Sequence, residues 1–429
     1  MSYVRQGELF SYEEFVGAHD DNTRLVLTLS ALPDERLVSW LRAQRKGRRD
    51  DYPLEVLWRC VVAKYVYQIT TYAELIRELW RNGSLRRLVG ISHPGRIPHD
   101  YHFSRLLKLL SLPEGFAQLA GMFEELVRRL SEAVPELGRH LAVDATAVHA
   151  YSNEMRKDKS DPDAAWSARP KRQRRRKRSG GVAEYLDYWF GYQVHLVVDC
   201  QTELPVGFEV TAANENETTR FEPLLEALQR AQPQLVARTE AVMADAGYDS
   251  QANCRFVLEK LEALPVIKMR LTQKKGDLCQ AAEELCTELG TQVCLSGHEM
   301  VYAGRDGGWL KWRCPVACGK ADKCHMPGRC TASEYGAVRK VSIQADPRRY
   351  PGLWRDSKKW KRLYRKRTAA ERVNARLKDF LLLDELTVRG IQKVQAHVGM
   401  GLVVMLAGAW AMVSADNVDQ ARRIVRLVA

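Results

Sequence analysis

The sequence predicts a mixed α/β domain with a five-stranded sheet, preceded by an all-helical N-terminal domain. Three observations predict it. Apolar residues recur at helical spacing as far as about residue 135. At Leu141 the period changes to that of strands, and the pattern then runs β-β-β-α-β-α-β. After a polar, Cys-rich insertion, one more amphipathic helix completes the order as β-β-β-α-β-α-β-[insertion]-α.

In residues 1–135, Thr23 to Leu41 holds short periodic segments broken at Pro33. Pro53 to Tyr67 is strongly amphipathic and opens with Pro near its first turn. Thr71 to Trp80 is a further helix. Ser84 can cap the short helix Leu85 to Val89, and Asp100 can cap Asp100 to Leu110. Gly115 to Leu130 is the last. Small helices joined by tight turns, with Arg42, Arg45, Lys46, Arg48 and Arg49 between them, suit a DNA-binding domain of the helix-turn-helix kind. Such helix pairs also occur in any helical bundle.

In residues 136–270, LAVDATAVHA is a strand with an acid at its middle, Asp144. Residues 156 to 180 are polar and basic and read as a long exposed loop. Tyr188 to Asp199 alternates cleanly, and Leu204 to Thr211 gives a third strand, making an antiparallel meander. Thr219 and Glu222 have capping-box spacing ahead of a helix whose apolar face is Phe221, Leu224, Leu225 and Leu228. Ala241 to Ala244 is a short strand ending at Asp245, Ser250 caps the next helix, and Leu264 to Met269 is the fifth strand. Helices that follow strands in this half suit parallel crossovers. Residues 271–350 read as the insertion. Residues 351–429 hold the completing helix and the C-terminal helices.

That completing helix, Tyr364 to Lys378, draws most attention. At ~100° per residue, Tyr364, Arg367, Glu371 and Lys378 lie within roughly 60° of one another. Leu363, Ala370, Val373, Leu377 and Phe380 form a separate apolar stripe. A carboxylate thus stands among a phenol, a guanidinium and an amine. Alone, Glu371 is also a plain salt-bridge partner of Arg367, Asp144 a buried hydrogen-bonding acid, and Asp245 the start of an Asx turn. Their placement argues for more. Ligands of such sheets gather at the carboxyl ends of strands. In this order the first and fourth strands can lie side by side, and the helix can carry Glu371 to the same point. Three converging carboxylates repel unless a divalent cation neutralises them. Mg²⁺, or Mn²⁺, takes such oxygen ligands, and a pair of ions can drive phosphoryl transfer.

Charge agrees. The 429 residues carry a net +13, which suggests a polyanionic partner. The excess is clustered in KRQRRRK at 171–177, with Lys171, Arg174 and Arg175 as candidate phosphate contacts, and from Arg355 to Lys378. The N-terminus reads as no signal peptide. The apolar run Val398 to Val413 is shorter than the ~20 residues of a membrane span and reads as a buried helix. Ten cysteines in such a chain argue for a reducing, cytoplasmic compartment and for metal binding over disulfides.

These residues resemble a known family, the bacterial insertion-sequence transposases of the DDE type, built on a ribonuclease-H-like domain. The helix matches that family's Tyr-x2-Arg-x3-Glu-x6-Lys signature at all four positions. ADAGYDS (244–250) resembles the block around its second catalytic Asp, and AVDATAV (142–148) the block around the first. ANENETTRFEPLLEAL (213–228) is similar to the segment after the third strand, and the helical region through IPHDYHFSRLLKLL to the domain that precedes the core. The resemblance implies Asp144, Asp245 and Glu371 as catalytic metal ligands, with Tyr364, Arg367 and Lys378 on DNA near the cleaved strand. It implies hydrolysis at the transposon end to free a 3′-OH, then attack of that 3′-OH on target DNA. The partners would be double-stranded DNA, as terminal inverted repeats and target, and a second copy in a synaptic complex. The setting would be the bacterial cytoplasm, at the nucleoid when bound. A different ribonuclease-H-like nuclease, such as a resolvase, or an inactive DNA-binding relative are the alternatives.

Some features stand outside this reading. Cys314, Cys318, Cys324 and Cys330 are candidate zinc ligands, with His325 nearby, although only the first pair has ordinary zinc spacing. Trp309 and Trp312 read as sheet or core tryptophans, His149 and His195 as structural, and Asp249 as a helix cap.

Overall fold

The computed structural model describes residues 20–44, 52–153, 160–170, 175–176, 182–183, 186–270, 285–325 and 330–422. The described N-terminal part is all-helical: α1 (Asp20–Ala31), α2 (Glu35–Ala43), α3 (Leu54–Val66), α4 (Tyr72–Arg81), α5 (Gly83–Leu88), α6 (Asp100–Leu110) and α7 (Pro113–Ala133). Local chemistry sets the boundaries. Pro33 stands between α1 and α2. A capping box of Thr71 and Glu74 starts α4. Asn82 rather than Ser84 caps α5, and His99 precedes α6, leaving Asp100 in its first turn. Leu25, Leu37, Leu41, Trp58, Leu75 and Phe103 fill the core between them. Of the basic cluster between these helices, Arg42 pairs with Glu55. Arg45, Lys46, Arg48 and Arg49 lie outside the described residues.

The main sheet is built from β1 (His140–His149), β2 (Ala165–Pro170), β3 (Leu186–Asp199), β4 (Pro205–Ala212), β5 (Ala241–Ala244) and β6 (Leu264–Ile267). Its order is β2-β3-β1-β5-β6, and β4 also pairs with β3. β1, β3 and β4 form an antiparallel meander. Helices α8 (Glu217–Ala231), the short α9 (Pro233–Ala237) and α10 (Gln251–Glu259) make the crossovers that bring β5 and β6 in parallel beside β1. The sheet has six strands where the sequence predicts five. The difference is β2, which falls in the stretch read as loop. Its alternation sets Trp166 against Phe190 across the ladder, ring centroids 5.6 Å apart, and that contact outweighs the polar composition around it. Helix α8 also differs at its start: Asn216 caps it, accepting from the Thr218 N–H, three residues before the cap read at Thr219 with Glu222.

The insertion folds as a small antiparallel sheet of β7 (Val301–Asp306), β8 (Trp309–Arg313) and β9 (Val338–Ser342). Trp312 is fully buried in its own core with Met300, Leu310, Val341, Ile343 and Tyr350, while Trp309 is half exposed. Asp249 does not cap the next helix. Its fully buried carboxylate accepts from Arg348 and from the Arg270 N–H, joining the end of the insertion to the loop after β5.

The completing helix is two helices, α11 (Lys358–Arg365) and α12 (Thr368–Phe380). Between them the backbone tightens to i→i−3 bonds, Arg367 N to Tyr364 O and Ala369 N to Lys366 O, so Tyr364 and Arg367 belong to the junction rather than to one continuous face. The apolar stripe packs as its spacing suggests: Leu363, Ala370, Val373 and Leu377 are buried. On another face of α12, Arg372 and Arg376 grip Glu203 in the turn after β3. Last comes α13 (Ile391–Ser414), apolar and long enough to cross a membrane but buried along nearly all its length, packed on α7, α1, α3 and β4.

Candidate active site

The site begins with a register. β1 and β5 run parallel, and their last paired residues are Val143 and Ala244. The next residue on each strand is an aspartate. Asp144, within β1, and Asp245, just past the end of β5, therefore stand next to each other across the two strands. The extended strands fix both backbones, and the Asp245 carboxylate is further held by the Gly247 N–H at 2.7 Å. Helix α12 crosses β1 and β3 above them. It lowers Glu371, Asn374 and Lys378 into one cleft of about 850 Å³ that Asp144, Asp245, Glu217, Arg270 and Arg367 also line.

Asp144 is the centre of the polar contacts. Asn374 Nδ2 donates to its Oδ2 at 2.9 Å, and Arg367 approaches its Oδ1 at 3.6 Å. The same guanidinium pairs with Glu371 one turn on. Lys378 Nζ is held by the Ala147 carbonyl at 2.8 Å and by Asp384 at 3.0 Å. Burial raises the Asp144 carboxyl to about 7; Arg367 opposes the rise, and Asp245, Glu217 and Glu371 add to it. Glu217 is likewise raised to about 7 by burial and then by Asp245, against the pull of Arg270.

Asp144, Asp245, Glu371, Arg367 and Lys378, all proposed from sequence, are thus gathered in one cleft. Tyr364 lies beside it, stacked on Trp360 at 5.0 Å and 8°. Lys171 and Arg174 lie outside the described residues, and Arg175 sits in a two-residue ladder with Ala183. Sequence reasoning missed Glu217 and Asn374. Asn374 carried a signal, since it is three residues beyond Glu371 on a helix and must share its face. Glu217 carried little, because Glu215 and Glu222 are equally acidic neighbours and only the fold selects among them.

Two metal hypotheses meet the structure differently. The four thiols do not converge: Cys314 packs beneath Gly336, Cys324 lies 3.2 Å from Ser296 Oγ, and Cys330 is exposed. Among the described residues no three His, Cys, Asp or Glu side chains meet as a ready-made metal site, and the four thiols are no exception. Nor are the cleft carboxylates drawn together as they stand. Their chemistry nevertheless fits a hard divalent cation. The donors are all oxygens, and a positive group, the Arg367 guanidinium, lies against Asp144 and Glu371.

A family model described as "Transposase DDE domain" matches residues 135–406. A second, "Transposase domain (DUF772)", matches residues 12–109. A comparison with curated proteins returned no match. Among solved structures, the piggyBac transposase synaptic complex with hairpin DNA aligns at 9% identity over 96% of this chain and 80% of that one, TM-score 0.39. The Mos1 transposase paired-end complex with left transposon end aligns at 16% identity over 58% and 77%, TM-score 0.17. At those scores neither structural likeness carries an argument.

Proposed function

The chain belongs to the DDE transposase family, whose model spans most of it, and is a DNA transposase; on that premise we propose that the Asp144–Asp245–Glu371 cleft is where one strand at the element's end is cut and then joined to target DNA. The observation that carries this reading is the register that sets Asp144, within β1, next to Asp245, just past the end of β5, beneath a helix bearing Glu371. Divalent Mg²⁺ or Mn²⁺, when bound, supplies an activated attacking oxygen and neutralises charge at the leaving oxygen. Asp144, Asp245 and Glu371 would hold it.

The chain's own groups have distinct tasks. In the first step a water oxygen forms a bond to the scissile phosphorus, and the bond to the 3′ oxygen of the element's strand breaks, leaving a 3′-OH. In the second step that 3′-OH bonds to a target phosphorus and displaces the target's 3′ oxygen. Asn374 fixes the Asp144 carboxylate through both steps. Arg367 exchanges its carboxylate partners for the phosphate backbone, and Lys378 with Arg270 flanks the strand. Tyr364 borders it from the α11–α12 junction. The basic run with Lys171, Arg174 and Arg175 adds sequence-independent phosphate contact, and the helical domain reads the terminal inverted repeat. Two copies hold two ends in a synaptic complex. Ten cysteines and a basic surface suit work in a bacterial cytoplasm, at the nucleoid while bound.

The test uses the full chain, a duplex carrying the element's terminal repeat, and Mg²⁺. The parent should produce a new 3′-OH at the end. Asp144→Ala, Asp245→Ala and Glu371→Ala should each lower cutting at least about a hundredfold while a gel shift still shows DNA binding. Full cleavage by any variant removes that residue from the site.

A further inference from the structure

We infer that Glu217, at the start of α8, is a fourth carboxylate of the metal site, and that Gly247 is glycine so that Glu217 and Asp245 can share one face of the cleft. The inference rests on the reading of the cleft above and extends it to a residue outside the family signature.

Geometry carries it. A Cβ placed on Gly247 would lie 2.5 Å from a Glu217 carboxylate oxygen and 2.9 Å from an Asp245 carboxylate oxygen. Both oxygens therefore close on the same Cα, and a side chain there would have to displace one of them. Nothing about the Gly247 backbone otherwise demands glycine, since its φ is not positive. The approach is built in from three sides. Asn216 caps α8 immediately before Glu217. Thr218 Oγ1 donates to the Gly247 carbonyl at 2.6 Å. Asn253 Nδ2, buried, donates both to the Thr218 carbonyl and to the Tyr248 carbonyl, at 3.1 and 2.9 Å. These bonds tie the first turn of α8 to the loop that carries Asp245.

The other cleft acids have protein partners. Asp144 has Asn374 and Arg367, Asp245 has the Gly247 N–H, and Glu371 has Arg367. Among the described residues the Glu217 carboxylate accepts no hydrogen bond and forms no ion pair. A second feature of the cleft also asks for a ligand. The side-chain oxygen of Asn374, a residue only 8% exposed, is buried without a partner beside Asp144. A half-buried carboxylate facing the same Cα as a second carboxylate, with an unfilled amide oxygen lining the same cleft, is an oxygen donor set short of one positive ion.

The test measures Mn²⁺ binding to the full chain by electron paramagnetic resonance, apart from any cleavage. Glu217→Gln, which keeps the shape and removes the charge, should weaken Mn²⁺ binding about tenfold or more without lowering the melting temperature. Gly247→Ala should weaken it too, by forcing the two carboxylates apart. Asp245→Asn serves as reference. If Asp245→Asn loses Mn²⁺ while Glu217→Gln binds it like the parent, the role of Glu217 is overturned and the three-carboxylate site stands. If neither variant changes Mn²⁺ binding, the reading of the cleft itself fails.

Discussion

The Asn374–Asp144 hydrogen bond joins two elements 230 residues apart in sequence, and it orients a largely buried acid of the site. Asn374→Ala removes that donor and leaves the carboxylate without its partner, a loss on the order of 1–3 kcal/mol. Cleavage should drop about tenfold or more, with DNA binding unchanged in a gel shift. Two buried histidines weaken the fold in acid. His195 is buried with its Nε2 2.9 Å from the Thr211 hydroxyl, and His397 lies between the Tyr65 hydroxyl and the Leu382 carbonyl. Burial holds both imidazoles down to about 4. Below the usual imidazole value of roughly 6.5 the unfolded chain takes up protons that the folded chain refuses. Their contribution is therefore whole above that value and is lost as pH falls toward 4, at an upper limit of about 3 kcal/mol each. Asp144 and Glu217, raised to about 7, gain stability in the same window, so the histidine part is read by difference: on acidification from pH 7 to 4 the parent should lose more melting temperature than His397→Gln.

Much of each element was legible in sequence. Asp144 and Asp245 could be picked out because each interrupts or ends a short apolar run, where an acid is conspicuous. The α12 face was legible from helical spacing, except that the tightened turn at Lys366–Arg367 left no mark in composition. β2 was hidden by the basic, polar stretch around it, since a cross-strand Trp166–Phe190 contact depends on residues far along the chain. Glu217 was hidden for a related reason: pattern gives which residues exist, and only packing says which way they point. The insertion has a core of its own around Trp312. Trp312→Ala should cost about 3–5 kcal/mol there. Limited proteolysis should then cut first within residues 301–342, while the main sheet and α13 stay protected. Cutting that begins elsewhere would show that the insertion does not depend on this core.

At the scale of the whole molecule, the helical region, the sheet and α13 share one continuous core, so the domain expected to read DNA is packed against the domain expected to cut it. The net charge of +13 gives the assembly a general attraction for polyanions. If six to ten phosphates are contacted, affinity for duplex DNA should fall by about 10³–10⁵ between 50 and 200 mM salt, and a salt-independent affinity would contradict that account. The central claim is narrower: Asp144, Asp245 and Glu371 act as one divalent-cation site on the cleaved strand. Its most direct test is an anomalous-diffraction map of the full chain with a DNA end and Mn²⁺. The expected result is a cation within about 2.0–2.4 Å of oxygens from Asp144 and Asp245, with the Arg367 guanidinium moved off Asp144 toward phosphate. A map with no cation between those aspartates, and with Arg367 still resting on Asp144 and Glu371, would contradict it.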